Sequence, residues 1–258
     1  MNTKQLFDLR GRNAIVTGGS RGLGLQIAEA LGEMGAKVAL TARKKDELDE
    51  AVAHLGKMGI EATAWPCDLG KREQILPIVD AILARYGKID VLVNNAGAVW
   101  AAPAEEHPLE AWNKLVALNM TANFVLSQAV ATKSMIPNRW GRIVNVASVA
   151  GITASDPRVV RTISYNATKH GVVGLTRQFA AEWGVHGITV NAICPGFFPS
   201  KMTSVMLGET GKLVLEGTPT GRLGNDEDLK GLAVLLASEA SRHITGQVIA
   251  VDGGASVI

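Results

Sequence analysis

A tyrosine and a lysine four residues apart, Tyr165 and Lys169, carry the most readily interpreted chemistry of this 258-residue chain. A hydride arriving at a carbonyl carbon leaves negative charge on oxygen, and a nearby proton donor completes the reduction. The pKa of free tyrosine is roughly 10, and an adjacent ammonium favours the phenolate. The pair therefore predicts an acid/base centre at Tyr165. The same spacing alone also fits two neighbours on a helical turn, with the lysine in solvent.

A glycine-rich segment follows the first predicted strand and opens into a predicted helix. Glycines let the backbone turn sharply and approach a pyrophosphate, while a helix N-terminus presents free N–H groups to an anion. The alternative is a turn that only packs a helix on a strand, but the flanking strand and helix favour a dinucleotide site. The candidate phosphate-binding residues are Gly18, Ser20, Arg21, Gly22, Leu23 and Gly24.

The second predicted strand ends without an acidic residue and runs from Ala42 into Arg43 and Lys44. Sites that prefer NAD usually hold the ribose 2′-hydroxyl with an acid about 20 positions after the glycines. Here Arg21 and Arg43 instead supply cations suited to a 2′-phosphate. The competing interpretation of the charge run is the solvated start of a helix. We predict NADP as the cofactor, with NADPH preferred over NADH.

Composition and charge argue against several classes of protein. The formal net charge is +2, with basic residues spread along the chain, which is unlike the clustered surface of a nucleic-acid-binding protein. Cys67 and Cys194 form no CxxC and lie near no histidine cluster, so we expect neither a metal site nor a disulfide. We expect no signal peptide and no membrane span of roughly 20 apolar residues, and hence a cytoplasmic protein.

Short apolar runs alternate with segments of helical periodicity along the chain. This order predicts one α/β domain over residues 1–258, a doubly wound (Rossmann) parallel sheet of about seven strands with helices on both faces. Ligands then bind at the carboxyl ends of the strands. Residues 195–223 interrupt the alternation, and we predict a lid over the site there rather than a surface loop. The predicted strands are 13–17, 37–41, 61–65, 89–93, 142–146, 188–193 and 247–251, and the helices 23–34, 46–57, 73–86, 109–134, 164–183 and 226–237.

The order of these motifs resembles the classical short-chain dehydrogenase/reductase family over nearly the whole chain. After the glycines come Asn94-Asn95-Ala96-Gly97, Asn119, Ser148, the Tyr165/Lys169 pair and Pro195-Gly196. The resemblance is to bacterial 3-oxoacyl-carrier-protein reductases and to gluconate 5-dehydrogenase-like members. It implies that Ser148 holds the substrate oxygen, that Lys169 also binds the nicotinamide ribose, and that Asn119 supports a water that passes protons to the lysine. The implied catalytic set is Asn119, Ser148, Tyr165 and Lys169.

The resemblance also implies further cofactor contacts and an assembly. Asp68 occupies the family position that contacts the adenine, and Ser200 the position of a hydroxyl near the cofactor phosphates. Family members commonly form tetramers, so we expect a homotetramer built through the helices that hold Asn119 and Tyr165 and through the C-terminal segment. The further predicted cofactor contacts are Lys44, Cys67, Leu69, Asn95, Ala96, Gly97, Tyr165, Lys169, Pro195, Gly196 and Phe198.

The substrate stays open between a 3-oxoacyl thioester and a keto sugar acid such as 5-ketogluconate. Residues 154–162 form a stretch a few residues longer than the family pattern, next to the site. Arg158 or Arg161 could meet an anionic substrate there, or could point to solvent or a neighbouring subunit. A dinucleotide-binding sensor or scaffold is the alternative function. The enzyme is favoured because a sensor does not need Tyr165 and Lys169 together.

Overall fold

A computed structural model describes residues 1–199 and 203–258, and its centre is a parallel sheet of seven strands. The strand order is β3-β2-β1-β4-β5-β6-β7, and every paired neighbour runs parallel. The predicted doubly wound parallel sheet is confirmed. The strands are β1 (Asn13–Thr17), β2 (Lys37–Ala42), β3 (Ala62–Pro66), β4 (Val91–Asn94), β5 (Gly141–Val146), β6 (Ile188–Pro195) and β7 (Val248–Val251).

Helices lie on both faces of the sheet and connect its strands. Those of eight or more residues in the described part are α1 (Gly22–Glu33), α2 (Lys45–Lys57), α3 (Ile75–Tyr86), α4 (Leu109–Asn138), α5 (Ile163–Trp183), α6 (Ser204–Glu216) and α7 (Lys230–Ala237). Helix α6 lies inside residues 195–223, which the sequence interpretation treated as irregular. Its glycines, Gly208 and Gly211, obscure the helical pattern, because glycine is a poor helix former.

The central strands read as apolar runs because both faces of the sheet are covered. On β1 and β2, Ile15 and Ala39 face one side and pack with residues of α3 and α4. Val16 and Leu40 face the other side and pack with α1 and α2. This alternation is the two-residue period of a strand, and it divides the core into two clusters that fix the sheet between helix layers.

Helix α4 is long and apolar enough, by length and composition, to cross a membrane. This match rests on length and composition only, so the expectation of no membrane span stays a prediction. Half of its most apolar window is buried inside the fold, and a core helix packed on a sheet shows the same composition. The helix also contains two π-helical segments, Val116–Thr121 and Ala131–Met135.

The amino ends of the strands carry a charged group that we term the amino-edge cluster: Arg12, Asp90, Trp140, Arg142 and Glu239. Arg12 pairs with Asp90 at 3.1 Å and with Glu239 at 3.5 Å, and Arg142 pairs with Glu239 at 3.4 Å. The Trp140 indole donates to Glu239 at 2.6 Å, and both guanidinium groups contact the Trp140 ring. Burial lowers the pKa of Arg142 to about 10.

Candidate active site

The glycine loop is held in place by residues from two neighbouring strand ends. The Thr17 hydroxyl, at the end of β1, accepts from the backbone N–H groups of Asn95 and Ala96, both at 2.9 Å. The Asn95 amide donates to the carbonyls of Thr17 at 2.8 Å and Gly18 at 3.2 Å. Sequence reasoning missed Thr17, although its place at the strand end next to the glycines was a usable signal. These four bonds tie the start of the loop to the residues that follow β4.

Two glycines of the loop cannot carry a side chain. Gly18 has φ +62°, and a Cβ there would lie 2.9 Å from the Asn95 amide nitrogen. A Cβ on Gly24 would lie 2.3 Å from the Gly18 carbonyl oxygen. The N-terminus of α1 follows, and its N-cap residue, Arg21, makes no side-chain capping bond. These uncapped N–H groups next to a close backbone approach fit the pyrophosphate of a dinucleotide.

Three cations lie at the same edge, beside the end of β2. The Arg21 guanidinium and the Lys44 ammonium both bind the Glu47 carboxylate, at 2.9 Å and 3.2 Å. Arg43 is exposed, and within residues 1–199 and 203–258 it makes no ion pair. Ser20 and Leu23 are half-buried in the loop between these groups and β1. Sequence reasoning brought Arg21, Arg43 and Lys44 together and missed Glu47.

Tyr165 and Lys169 lie on the first two turns of α5, with the lysine packed under the tyrosine. The Lys169 ammonium donates to the Val146 carbonyl at 2.7 Å and lies 5.5 Å from the centre of the Tyr165 ring. Lys169 is only 5% exposed, and burial lowers its pKa to about 8. The lysine therefore loses its charge not far above neutral pH.

The pKa of Tyr165 moves opposite to the expectation that the lysine favours its phenolate. Burial raises this pKa, and a hydrogen bond with the Ser148 side chain opposes the shift. The physical reason is that the phenol is desolvated, while the Lys169 ammonium points to a backbone carbonyl. The phenol keeps its proton, which is the form that a proton donor needs.

Ser148 begins the short helical turn after β5 and faces Tyr165. Its hydroxyl accepts from the Ala150 backbone N–H at 3.1 Å. Behind it, the backbone of Ser148 bonds the buried Cys194 thiol, whose pKa is raised by burial and lowered in part by Lys169. Sequence reasoning treated Cys194 only as a reduced cysteine, because nothing local shows that β6 passes below α5.

Asn119 lies in the first π-helical segment of α4 and is 3% exposed. Its side chain accepts from the Ala98 N–H and donates to the Ala98 carbonyl, both at 2.9 Å. It also donates to the Thr168 hydroxyl at 3.1 Å, which in turn donates to the Tyr165 carbonyl at 2.9 Å. A cavity of about 10 Å³ lies between Asn119 and Lys169. The four predicted catalytic residues thus come together at one edge of the sheet.

The residues after β3 reach this edge mostly through their backbone. Cys67 and Leu69 are buried in the core, and burial raises the pKa of the Cys67 thiol to about 11. Asp68 is half-buried; its N–H donates to the Gln74 side chain at 2.9 Å and its carboxylate accepts from the Gly70 N–H at 3.0 Å. Their cofactor contacts stay predictions.

Of the residues after β6, some lie at the carboxyl edge of the sheet and others are buried in the core. The Gly196 N–H donates to the Val251 carbonyl at 3.0 Å directly after Pro195, and a Cβ on Gly196 would lie 2.8 Å from the Asp252 side chain. Phe198 is buried in the core next to Gly224, so its ring is not presented at the edge. Ser200 lies outside the described residues. Gly97 approaches Asn119 and Lys169, since a Cβ there would lie 3.3 Å and 3.7 Å from their polar atoms.

Hydrogen bonds join the long stretch 154–162 to α5 at Asn166, the residue after Tyr165. The Asn166 side chain bonds the hydroxyls of Ser155 at 3.1 Å and Thr162 at 2.8 Å. Arg158 is paired with Asp156. Arg161 lines an open cleft of about 700 Å³ and has no ion pair within the part of the chain that the structure describes.

Metal ligands are not grouped in the described ranges: no cluster of three or more His, Cys, Asp or Glu side chains could hold an ion there.

Comparison with known proteins identifies the family. The short chain dehydrogenase family model matches residues 12–209. The chain belongs to the short-chain dehydrogenase family. The predicted family and enzyme class, an oxidoreductase acting on a CH–OH group, are thereby confirmed.

Two similar relatives are named as enzymes of gluconate or keto-gluconate chemistry. Gluconate 5-dehydrogenase of Gluconobacter oxydans is 40% identical over 259 residues, covering 100% of this chain and 99% of the relative. 5-Keto-D-gluconate 5-reductase of Escherichia coli is 36% identical, covering 96% and 97%. The crystal structure of a gluconate 5-dehydrogenase from Burkholderia cenocepacia in complex with NADP and tartrate is 33% identical, covers 100% of both chains, and superposes with a TM-score of 0.94.

Proposed function

We propose that this chain is an NADPH-dependent reductase of keto sugar acids that interconverts 5-keto-D-gluconate and D-gluconate. The observation that carries the proposal is the assembled set of Asn119, Ser148, Tyr165 and Lys169 in a chain 40% identical, over its full length, to a gluconate 5-dehydrogenase. Similarity over the whole chain favours a keto sugar acid above the 3-oxoacyl thioester that the motifs alone left open.

The cofactor is NADP, whose reduced form supplies the hydride when bound. Gly18, Gly24 and the uncapped start of α1 fit its pyrophosphate, because a Cβ on either glycine would meet the Asn95 amide, so only glycine lets the backbone take this tight path into the helix N-terminus. Arg21, Arg43 and Lys44 fit the 2′-phosphate at the end of β2, where Ala42 offers no carboxylate for a free 2′-hydroxyl.

The residues of the chain divide the work on the substrate carbonyl. Ser148 and Tyr165 hold the carbonyl oxygen, and Tyr165 donates its proton to that oxygen as negative charge develops. Lys169 holds the nicotinamide ribose and supports proton transfer from beneath the tyrosine. Asn119, fixed to Ala98 and Thr168, borders the small cavity that would carry protons to Lys169 by way of a water.

The substrate carboxylate needs a cation, and the segment 154–162 offers two. Arg158 is engaged by Asp156, so Arg161 is the candidate for the carboxylate.

The chain assembles as a homotetramer through α4, α5 and the C-terminal segment, which present the exposed apolar side chains Leu109, Phe124, Ile163, Val257 and Ile258. Light scattering that found a stable monomer at micromolar concentration would defeat this assembly. A cytoplasmic location stays a prediction.

The test of the function is a substrate panel followed at the nicotinamide absorbance band with both cofactors. We expect 5-keto-D-gluconate with NADPH to give the highest kcat/KM, and D-gluconate with NADP⁺ to run the reverse reaction. D-Fructose, a keto sugar without a carboxylate, serves as the uncharged control. Equal activity on D-fructose, or preference for a 3-oxoacyl thioester, would overturn the substrate assignment. Turnover of no ketone in the panel would favour the sensor alternative.

A further inference from the structure

A glutamate in the first turn of α2, Glu47, holds together two cations from different parts of the chain. Its carboxylate binds the Arg21 guanidinium of the glycine loop at 2.9 Å and the Lys44 ammonium after β2 at 3.2 Å. The Glu47 side chain is 19% exposed, whereas those of Arg21 and Lys44 are 51% and 65% exposed. The acid is thus the sheltered member of the group, and the cations are its mobile, solvated partners.

The position of this carboxylate matters because the proposed function gives the same two cations to the 2′-phosphate of NADPH. A phosphate monoester carries about −1.5 to −2 charges near neutral pH and accepts hydrogen bonds. An ionised carboxylate also accepts hydrogen bonds and donates none, so Glu47 and the phosphate compete for the N–H donors of Arg21 and Lys44. The two negative groups also repel each other. NADH lacks the phosphate and does not enter this competition.

We infer that Glu47 is a specificity-determining residue that weakens NADPH binding and so narrows the preference of this enzyme for NADPH over NADH. The inference rests on the proposed NADP site. Exposed ion pairs of this kind are weak, so the phosphate can draw both cations away from Glu47. Because the Glu47 side chain is sheltered, its negative charge stays close to the phosphate after Arg21 and Lys44 have moved from Glu47 to the phosphate.

Two other roles for Glu47 predict different results. If the carboxylate accepted a hydrogen bond from the ribose 2′-hydroxyl, its removal would weaken NADH binding. If it mainly oriented Arg21 and Lys44 for the phosphate, its removal would weaken NADPH binding. Competition alone predicts that NADPH binds more tightly when the charge is removed.

The experiment compares Glu47→Gln with Asp49→Asn in the full-length protein. Both changes replace a carboxylate by an amide on α2, but Asp49 pairs with Lys45, whereas Arg21 and Lys44 pair with Glu47. Dissociation constants for NADPH and NADH are measured by the fluorescence of the reduced nicotinamide, with circular dichroism as a check on folding. We expect Glu47→Gln to tighten NADPH by about three- to tenfold and to leave NADH within about twofold. Asp49→Asn should change neither constant by more than about twofold.

The native protein separates failure of this inference from failure of the proposed function. If the native chain binds no NADPH, or prefers NADH, the proposed cofactor falls. If the native chain prefers NADPH but Glu47→Gln leaves its affinity unchanged or weaker, only the role of Glu47 falls. An equal gain in Asp49→Asn would assign the effect to the net charge of α2 and would also overturn the role of Glu47.

Discussion

At the amino edge of the sheet, Arg142 is 2% exposed and its guanidinium is bound by Glu239 and by the Ser238 carbonyl at 2.9 Å. At the carboxyl edge, Arg21, Arg43 and Lys44 remain exposed, and Lys169 is buried with a backbone carbonyl as its hydrogen-bond partner. Buried cations paired inside the chain serve the folded state. Exposed cations, and Lys169, which has no carboxylate partner among the described residues, remain available to a ligand or a proton.

The largest expected difference between the edges concerns Tyr165. Tyr165→Phe removes one hydroxyl at the carboxyl edge, so kcat for reduction of 5-keto-D-gluconate should fall by roughly 10²–10⁴-fold. NADPH affinity should stay within a few-fold because the glycine loop and Lys169 are unchanged. Steady-state rates and a cofactor titration measure both values. Near-native turnover would show that Tyr165 is not the acid.

A substitution in the amino-edge cluster should lower the stability of the fold and leave kcat nearly unchanged. Arg142→Met removes a buried guanidinium that pairs with Glu239 and donates to the Ser238 carbonyl, so the free energy of unfolding should drop by about 2–4 kcal/mol while kcat stays near its native value. Denaturant unfolding and steady-state rates test this. Arg10→Met, which breaks an exposed pair with Asp8, is the control and should hardly move the unfolding midpoint. A large loss of kcat in folded Arg142→Met would show that the edges are coupled.

The lowered pKa of Lys169 predicts how activity depends on pH. The ammonium is present below a pKa of about 8 and is lost as pH rises through that value, whereas the raised pKa of Tyr165 keeps the phenol protonated over the same range. If the ammonium supports catalysis, kcat for reduction should fall above about pH 8, by roughly tenfold one pH unit higher. A pH–rate profile that stays level well above that pH would rule out this role of the Lys169 charge.

The smallest expected effect concerns Arg43, which makes no ion pair with the residues that the structure describes. Arg43→Ala should weaken NADPH by roughly fivefold to tenfold and leave NADH nearly unchanged. Lys45→Ala provides a matched control, since Lys45 pairs with Asp49. Equal losses for the two cofactors would remove Arg43 from the 2′-phosphate site.

Local patterns in the sequence were sufficient to predict the sheet and the Tyr165/Lys169 pair, whereas Asn119 and Ser148 were predicted from the family resemblance. The strand and helix periods predicted every strand to within about two residues, as with 61–65 against Ala62–Pro66. Gly18 and Gly24 and the Tyr165/Lys169 pair could be recognised because each follows a strand or begins a helix. Helix α6 escaped because Gly208 and Gly211 weaken its pattern.

Contacts between segments far apart in sequence, and the pKa shifts that follow from burial, depend on the folded chain. No local pattern places Glu47 between Arg21 and Lys44, or Cys194 below Ser148, because those contacts depend on how strands and helices pack. The direction of the Tyr165 pKa depends on desolvation, which exists only once the chain is folded. The sequence alone names the residues that hydride-transfer chemistry would use, some after strands and others on α4 and α5. The fold determined which charges are exposed, which are paired and which hold a proton.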